Sequence, residues 1–557
     1  MSLEAHLDRF SRGWRAPAIA AFVAFLAGLP GVFAMPPLDR DESRFAQATA
    51  QMLESGDFVV IRFQDQPRFK KPVGIHWLQA GSVALFSEAE AREIWAYRLP
   101  SLLGAMLAAA ACAWGAAVFF GGPTGLLAGA LLGSTFLLST EAFIAKTDAV
   151  LAGSTTLAMA ALARLYAASR GGPPAGRLTR LMFWLGLSVS ILVKGPVGLM
   201  IAVLTALSLA AWDRKGAWLK NIGWVWGLIL LAAIVGPWAG AVTVATDGGF
   251  WTTAFGADFA PKLMGGQESH GAPPGYHTLL APFLIFPGAL LLPAALALGW
   301  RHRDEPGVRF ALCWLIPAWI VFEATPTKLV HYTLPTYGAL AWLMAAAALR
   351  APLKPIAKWA GIALSALVGT VFAVAVFYLF GQYGDPSDLP ATIATALLLA
   401  AAGLAGAYLL WQGRTLSAIA AAGVLTVLGH GAFSAAFAPR LEPLWLSKRT
   451  EDVLERARLL PRQGMAPAPV AVAGYAEPSL VFALGTPTDL GDVAEAVDAL
   501  EELRPAVVEG RAQAAFMAAM KARGVTAREI GQVGGLDYSN GDETTLRIYA
   551  PFPNEAP

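Results

Sequence analysis

Long apolar runs recur from about residue 17 to residue 436, each closed by a short polar break. A helix needs about 20 mostly apolar residues to cross the hydrocarbon layer of a bilayer. Stretches near 17–35, 99–120, 123–141, 147–168, 179–194, 195–212, 221–244, 278–298, 308–323, 332–349, 357–380, 390–411 and 415–436 meet or approach that length. The pattern predicts an α-helical polytopic membrane protein with about 13 transmembrane helices. Val73 to Phe86 is apolar but too short to cross, so it is predicted as an external helix lying in the interface. After Pro439 the pattern becomes that of a soluble domain. PVAVAG (469–474), PAVVEG (505–510) and TLRIYAP (545–551) read as strands, and 491–503 and 511–523 have helical spacing. A transmembrane domain over 1–437 and a small α/β domain over 438–557 are therefore expected.

Composition agrees with that division. With 56% hydrophobic residues, 14% charged residues and a mean hydropathy of +0.53, the chain is too apolar for an ordinary soluble protein. The net charge of +2 matters less than its distribution. Arg9, Arg12 and Arg15 precede the first apolar run, which reads as an uncleaved signal-anchor with the N-terminus in the cytoplasm. On that assignment the inside connections hold Arg164, Arg170, Arg177, Arg180, Arg214, Lys215, Lys220, Arg301, Arg303, Arg309, Arg350, Lys354, Lys358 and Arg414, as the positive-inside rule requires. The connections 36–98, 141–147, 245–277, 324–331 and 381–389, with the junction at Lys194, fall on the other face and carry mixed charges, aromatics, histidines and prolines. Thirteen spans put the C-terminal domain on that external face too. Cys112 and Cys313 lie inside predicted spans and form no metal or disulfide pattern. There is no glycine-rich phosphate loop, coiled coil or internal repeat, and no nucleic-acid partner is expected.

Charge beside a bilayer is costly unless it has a task, which directs attention to the loop 36–98. It gathers Asp39, Asp41, Glu42, Arg44, Lys70, Lys71 and His76. On the same face Asp148 begins the fourth span, Lys194 stands at a Gly-Pro break, and EATPTKLVHYTLP (323–335) contributes Lys328, His331 and Tyr332. Seven elements occur in order: D-E-x-R-[FY]-A from Asp41, M-L-x-S-G-D from Met52, F-x-K-P from Phe69, R-L-P-S from Arg98, T-D-x-x-L-A from Thr147, V-K-G from Val193 and K-L-x-x-Y-x-L-P from Lys328. Over roughly residues 15 to 350 this set resembles the GT-C class membrane glycosyltransferases. The likeness is to the branch of the lipid A aminoarabinose transferases and their galacturonic-acid and mannosyl relatives, which are related to the dolichyl-phosphate-mannose-protein mannosyltransferases.

The resemblance implies an inverting transfer of a sugar from a polyprenyl (undecaprenyl) phosphate carrier to a lipid or glycan acceptor, lipid A or lipopolysaccharide foremost. It places the site at the periplasmic face of a bacterial inner membrane. Asp41 is the expected catalytic carboxylate, acting as general base or acceptor-orienting group, with Asp148 as the second. Arg44, Lys71, Lys194, Lys328 and Tyr332 are expected on the donor phosphate, because cations near the interface stabilise charge developing on a leaving phosphate. Glu42, Lys70, His270 and His331 are further substrate-binding candidates. No cofactor is required by the resemblance. In the aminoarabinose transferases an acidic residue associated with a divalent metal is expected before the lysine of F-x-K-P. Here that position is Lys70, so metal use is open, with His270 the one matching ligand. Lys70 could instead add positive charge for an acidic sugar or an anionic acceptor. Oligomeric state is not legible. The alternatives are a protein O-glycosyltransferase of the same class and, from another class, a lipid-linked sugar transporter or flippase. A transporter would carry its charges near the bilayer midplane in repeated halves.

Overall fold

The computed structural model describes residues 3–38, 40–259, 271–350, 352–461, 469–538 and 540–551. His270, a substrate or metal candidate from the sequence, lies outside the described residues. The helices of the first half are α1 (Leu3–Phe10), α2 (Arg15–Ala34), α3 (Asp41–Ser55), α4 (Gly74–Phe86), α5 (Ile94–Phe120), α6 (Gly122–Gly133), α7 (Phe136–Glu141), α8 (Asp148–Ala168), α9 (Arg177–Lys194), α10 (Val197–Asp213) and α11 (Trp224–Ala245). Long apolar helices follow at Pro306–Ala324, Pro355–Tyr383, Leu389–Trp411 and Thr415–Ala432.

Every apolar run read from the sequence carries helix, but the helices differ in reach. Among the described residues eight are long and apolar enough to cross a membrane, or nine if the pair Tyr276–Leu284 and Gly288–Arg301, bent by 113°, counts as one span. The chain is a multi-pass membrane protein. The run 123–141 is broken where Thr135 leaves helical geometry and caps α7 by accepting from the Leu138 amide (3.4 Å). Helix α9 carries Arg177, Arg180 and Lys194 within its eighteen residues.

The loop before α5 is built, not disordered. Gly56 ends α3 in the left-handed region (φ 70°), and the Asp57 carboxylate accepts from the amides of Val59 and Val60 (both 3.0 Å), which turns the chain back. A two-strand antiparallel ladder, β1 (Arg62–Phe63) with β2 (Gln66–Pro67), leads into α4. That helix docks on the last turn of α9. A Cβ at Gly74 would lie 2.6 Å from the Leu192 carbonyl oxygen, so only glycine permits the approach that brings the Phe69–Pro72 segment to the Lys194 end of α9. Phe45, Ile75, Val150, Leu151 and Val193 then form one apolar cluster binding α3, α4, α8 and α9.

The C-terminal domain is a five-stranded sheet of order β4-β3-β5-β7-β6. Strands β3 (Ala471–Ala473), β4 (Asp489–Gly491) and β5 (Ala506–Glu509) are parallel, and β7 (Glu543–Pro551) runs antiparallel to β5 and to β6 (Ala527–Leu536). Alternation along the strands divides the core: Val472, Val507 and Ile548 face one side with Leu446 and Leu480, while Ala473, Val508 and Tyr549 face Val497 and Phe516 on the other. The domain is tied to α3. Thr486 Oγ1 accepts from Gln47 Nε2 (2.8 Å) and donates to Glu54 (2.6 Å), Gln64 Nε2 donates to the Thr488 carbonyl (2.6 Å), and Phe482 packs edge-on to Tyr97 (5.4 Å).

Candidate active site

The site begins with a buried fork. Arg98 Nε and Nη2 donate to the two oxygens of Glu42 (both 2.8 Å), and both side chains are shielded from solvent. The remaining Arg98 donors reach the carbonyls of Gly31, Val32, Met35 and Pro36, capping the end of α2. Glu42 also accepts from the amides of Leu38 (2.8 Å) and Ala145 (2.7 Å). Its two oxygens thus each take one Arg98 donor and one amide. This clamps the first turn of α3 to the segment between α7 and α8. Asp41 stands exposed at the first position of α3, beside Arg40 held at φ 65°, and Arg44 lies half-buried one turn on along the same helix face.

The 142–147 segment carries the other half. Lys146 Nζ lies 3.0 Å from Glu141, 3.9 Å from Asp148 and 3.3 Å from His331 Nδ1. Asp148 pairs with Lys194 and lies 3.5 Å from His331 Nε2, and the Lys194 ammonium stands 5.5 Å from the Tyr332 ring centroid. Burial works against the Lys146 ammonium, but the charges of Glu141 and Asp148, with Asp41 adding to them, hold its pKa above the usual lysine value. His331 is driven well below its ordinary value, first by burial and then by both lysines, and stays neutral against the pull of Asp148.

Asp41, Asp148, Lys194, His331 and Tyr332 are thus drawn to one patch at the end of the helix bundle, with Arg44 on the face of α3 that carries Asp41. Lys71 is half-buried and Lys70 exposed in the segment that α4 holds against α9. Lys328 is buried and turned back, its Nζ donating to the Thr325 carbonyl of its own loop. That loop is joined to the 245–277 connection through a bridge between Gly271 and Thr327. Glu141 and Lys146 are members of the cluster that the sequence reading did not single out. The signal was present: three ionisable residues, Glu141, Lys146 and Asp148, within eight positions of otherwise apolar chain.

Glu141, Asp148 and His331 each place a ligand atom within 4.8 Å of the others, close enough to hold a metal ion. The ammonium groups of Lys146 and Lys194 already occupy that concentration of negative charge, so the set does not fit a divalent cation. At the position expected to be acidic, Lys70 offers no ligand to one.

His76 has a supporting place. Thr49 donates its hydroxyl proton to Gln79 Oε1 (2.7 Å), which leaves His76 to donate its Nδ1 proton to Thr49 (2.8 Å). Burial, then the Arg68 charge, lower its pKa to about 3. Between that value and the ordinary histidine range the unfolded chain binds a proton that the fold excludes, so stability rises with pH across this window by up to about 1.4 kcal/mol per unit. Thermal unfolding in detergent between roughly pH 4.5 and 7 is expected to show that rise, with a shallower slope in His76→Gln. An identical slope in the variant would refute the assignment.

The chain is similar to several known proteins. Residues 70–239 match the family described as dolichyl-phosphate-mannose-protein mannosyltransferase. The chain is 30% identical over 326 residues to the undecaprenyl phosphate-alpha-4-amino-4-deoxy-L-arabinose arabinosyl transferase of Pseudomonas paraeruginosa, covering 56% of this chain and 57% of that protein. It is 29% identical over 350 residues to the protein of the same name from Pectobacterium carotovorum, covering 60% of each. The matches span somewhat over half the length of these curated relatives. The crystal structure of ArnT from Cupriavidus metallidurans bound to undecaprenyl phosphate superposes with a TM-score of 0.73 at 20% identity, covering 95% of this chain and 96% of that one. The apo form gives the same score over 96% and 98%. The fold is that of these ArnT structures. Over somewhat more than half of its length the chain resembles the undecaprenyl phosphate-aminoarabinose arabinosyl transferases.

Proposed function

We propose that the protein is an inverting glycosyltransferase that moves a sugar from a polyprenyl phosphate carrier to lipid A or lipopolysaccharide at the periplasmic face of a bacterial inner membrane. The observation that carries this reading is that Glu42 accepts from the Ala145 amide, which sets the exposed carboxylate of Asp41, at the start of α3, beside the Lys146–Asp148–Lys194 cluster at one end of the bundle. The names of the relatives support the donor and acceptor classes. Undecaprenyl phosphate is the natural carrier, since it is the lipid bound in the structural neighbour.

In this reading the bond from the anomeric carbon to the carrier phosphate breaks while an acceptor oxygen attacks the opposite face. Arg44, Lys71, Lys194 and Tyr332 receive the negative charge gathering on the departing phosphate. Asp148 holds the Lys194 ammonium in place until the phosphate claims it. Asp41 accepts the proton of a hydroxyl acceptor, or orients an acceptor phosphate that is already ionised. Neutral His331 lies against Glu141, Lys146 and Asp148, and Glu42 fixes the backbone beside Asp41. Lys328 shapes the loop that bears Tyr332, and Lys70 adds positive charge at the mouth. Residues 1–437 hold the transfer machinery, while 438–557 brace α3. The charges gather at one end of the bundle instead of its middle, which favours transfer over transport.

The test is transfer by the purified full chain from an undecaprenyl phosphate-linked sugar, offered lipid A and, separately, serine- and threonine-containing peptides, with products read by mass spectrometry. A sugar increment on lipid A is expected. An increment only on peptide would move the acceptor to protein, as the mannosyltransferase family description would favour. No transfer to either, with envelope lipids unchanged in a deletion strain, would end the enzyme reading.

A further inference from the structure

At the opposite end of the bundle from Asp148 and Lys194, helices α1, α2, α5 and α8 leave a cavity of about 960 Å³. One wall is α5, where Leu107, Ala110 and Ala117 line a stretch reaching toward Phe120. At 1.5 Å per residue, the lining from Leu107 to Val118 spans about 17 Å, a large part of the length of an acyl chain. The mouth carries Arg12 from the turn between α1 and α2, and Arg164 from the last turn and a half of α8. Trp14, 78% exposed, stands beside it as aromatic residues do at headgroup level.

Arg164 is the unusual member. It is half-buried on a membrane helix, its Nη1 donates to the Trp114 carbonyl (3.1 Å), and its guanidinium lies 4.7 Å from the Trp114 ring centroid. Among the described residues no carboxylate pairs with it or with Arg12, although Asp8 also lines the cavity. Other arginines at this end are paired: Arg170 and Arg309 both meet Asp213. A cation inside a membrane helix without an acidic partner is costly unless an anion comes to it. Two guanidinium groups over an alanine-lined, lipid-length groove complement a phosphodiester headgroup with its acyl chain below.

We infer that this cavity is a binding site for an anionic glycerophospholipid, its phosphate between Arg12 and Arg164 and one acyl chain along α5. The site is separate from the transfer site and stands whether or not that reading holds.

Native mass spectrometry of the full-length protein in detergent, titrated with phosphatidylglycerol, phosphatidylcholine or inorganic phosphate, tests it. Wild type is expected to hold phosphatidylglycerol about tenfold more tightly than phosphatidylcholine, the scale of one charge-assisted contact. The preference should fall severalfold in Arg12→Gln, which lies on the surface and leaves the bundle intact, and vanish in Arg12→Gln/Arg164→Gln. Arg414→Gln, a basic residue away from the cavity, should keep it. Ala110→Phe, which fills the groove and leaves both charges, should weaken both lipids alike. Unchanged phosphatidylglycerol affinity in Arg12→Gln and the double variant would overturn the inference. So would displacement of the lipid by millimolar inorganic phosphate, which would leave a simple anion site.

Discussion

Asp41→Asn is expected to lower turnover by about 10³-fold while donor affinity changes little, within the range of about 10²–10⁴ that general acid–base catalysis contributes. The substitution keeps the shape and hydrogen-bonding length of the side chain and removes its charge and basicity. The scaffold should survive, because the clamp on this turn of α3 is made by the neighbouring Glu42, whose oxygens are engaged by Arg98 and by the Leu38 and Ala145 amides. Asp41 itself is exposed, so no buried charge is left unpaired. Initial rates at saturating donor, with donor binding measured separately, distinguish the cases. A fall in kcat at constant donor affinity marks a group acting on the reacting atoms. If the loss is instead confined to donor affinity, Asp41 orders the phosphate site through Lys146. A rate within tenfold of wild type would remove Asp41 from the chemistry. An acceptor that is already a phosphate should show a smaller deficit than a hydroxyl acceptor, since no proton then needs to leave.

The sequence made some of this site visible and hid the rest for physical reasons. Asp148, Lys194 and Tyr332 stand where apolar runs meet polar breaks, and the fold brings them together because α8, α9 and the 325–333 loop end at the same level. Glu141 and Lys146 went unremarked because each looks like an ordinary interfacial charge. Only the break at Ser134–Thr135, which stops α6 and starts α7, turns Glu141 inward toward Lys146. Strands β4 and β6 were not legible either. β4 has three residues, and β6 contains three glycines that dilute any alternation. Glu42 shows the opposite limit: its place in D-E-x-R suggests chemistry, whereas its partner Arg98 lies 56 positions away and defines it as an anchor. Unequal helix lengths were hidden because hydropathy records apolarity and not where a backbone breaks.

Arg98→Ala is expected to be the most destabilising single change in this region, costing about 3–5 kcal/mol, the usual result of removing one partner of a buried ion pair. Glu42 would be left charged and shielded from solvent, and the carbonyls of Gly31, Val32, Met35 and Pro36 would lose their donors at the end of α2. Lysine should not rescue it, because an ammonium cannot make the two parallel bonds that the guanidinium makes to Glu42. Thermal unfolding in detergent should therefore show both Arg98→Ala and Arg98→Lys well below wild type. The double variant Glu42→Leu/Arg98→Met separates stability from positioning. Replacing a buried pair by apolar side chains is often neutral or better for stability, so much of the melting temperature should return. Activity should not return, since the Ala145 amide then loses its acceptor and the 142–147 segment is no longer fixed against α3 beside Asp41. Recovery of activity together with stability would mean that the fork only holds the fold. A wild-type melting temperature in Arg98→Ala would mean that it does not even do that.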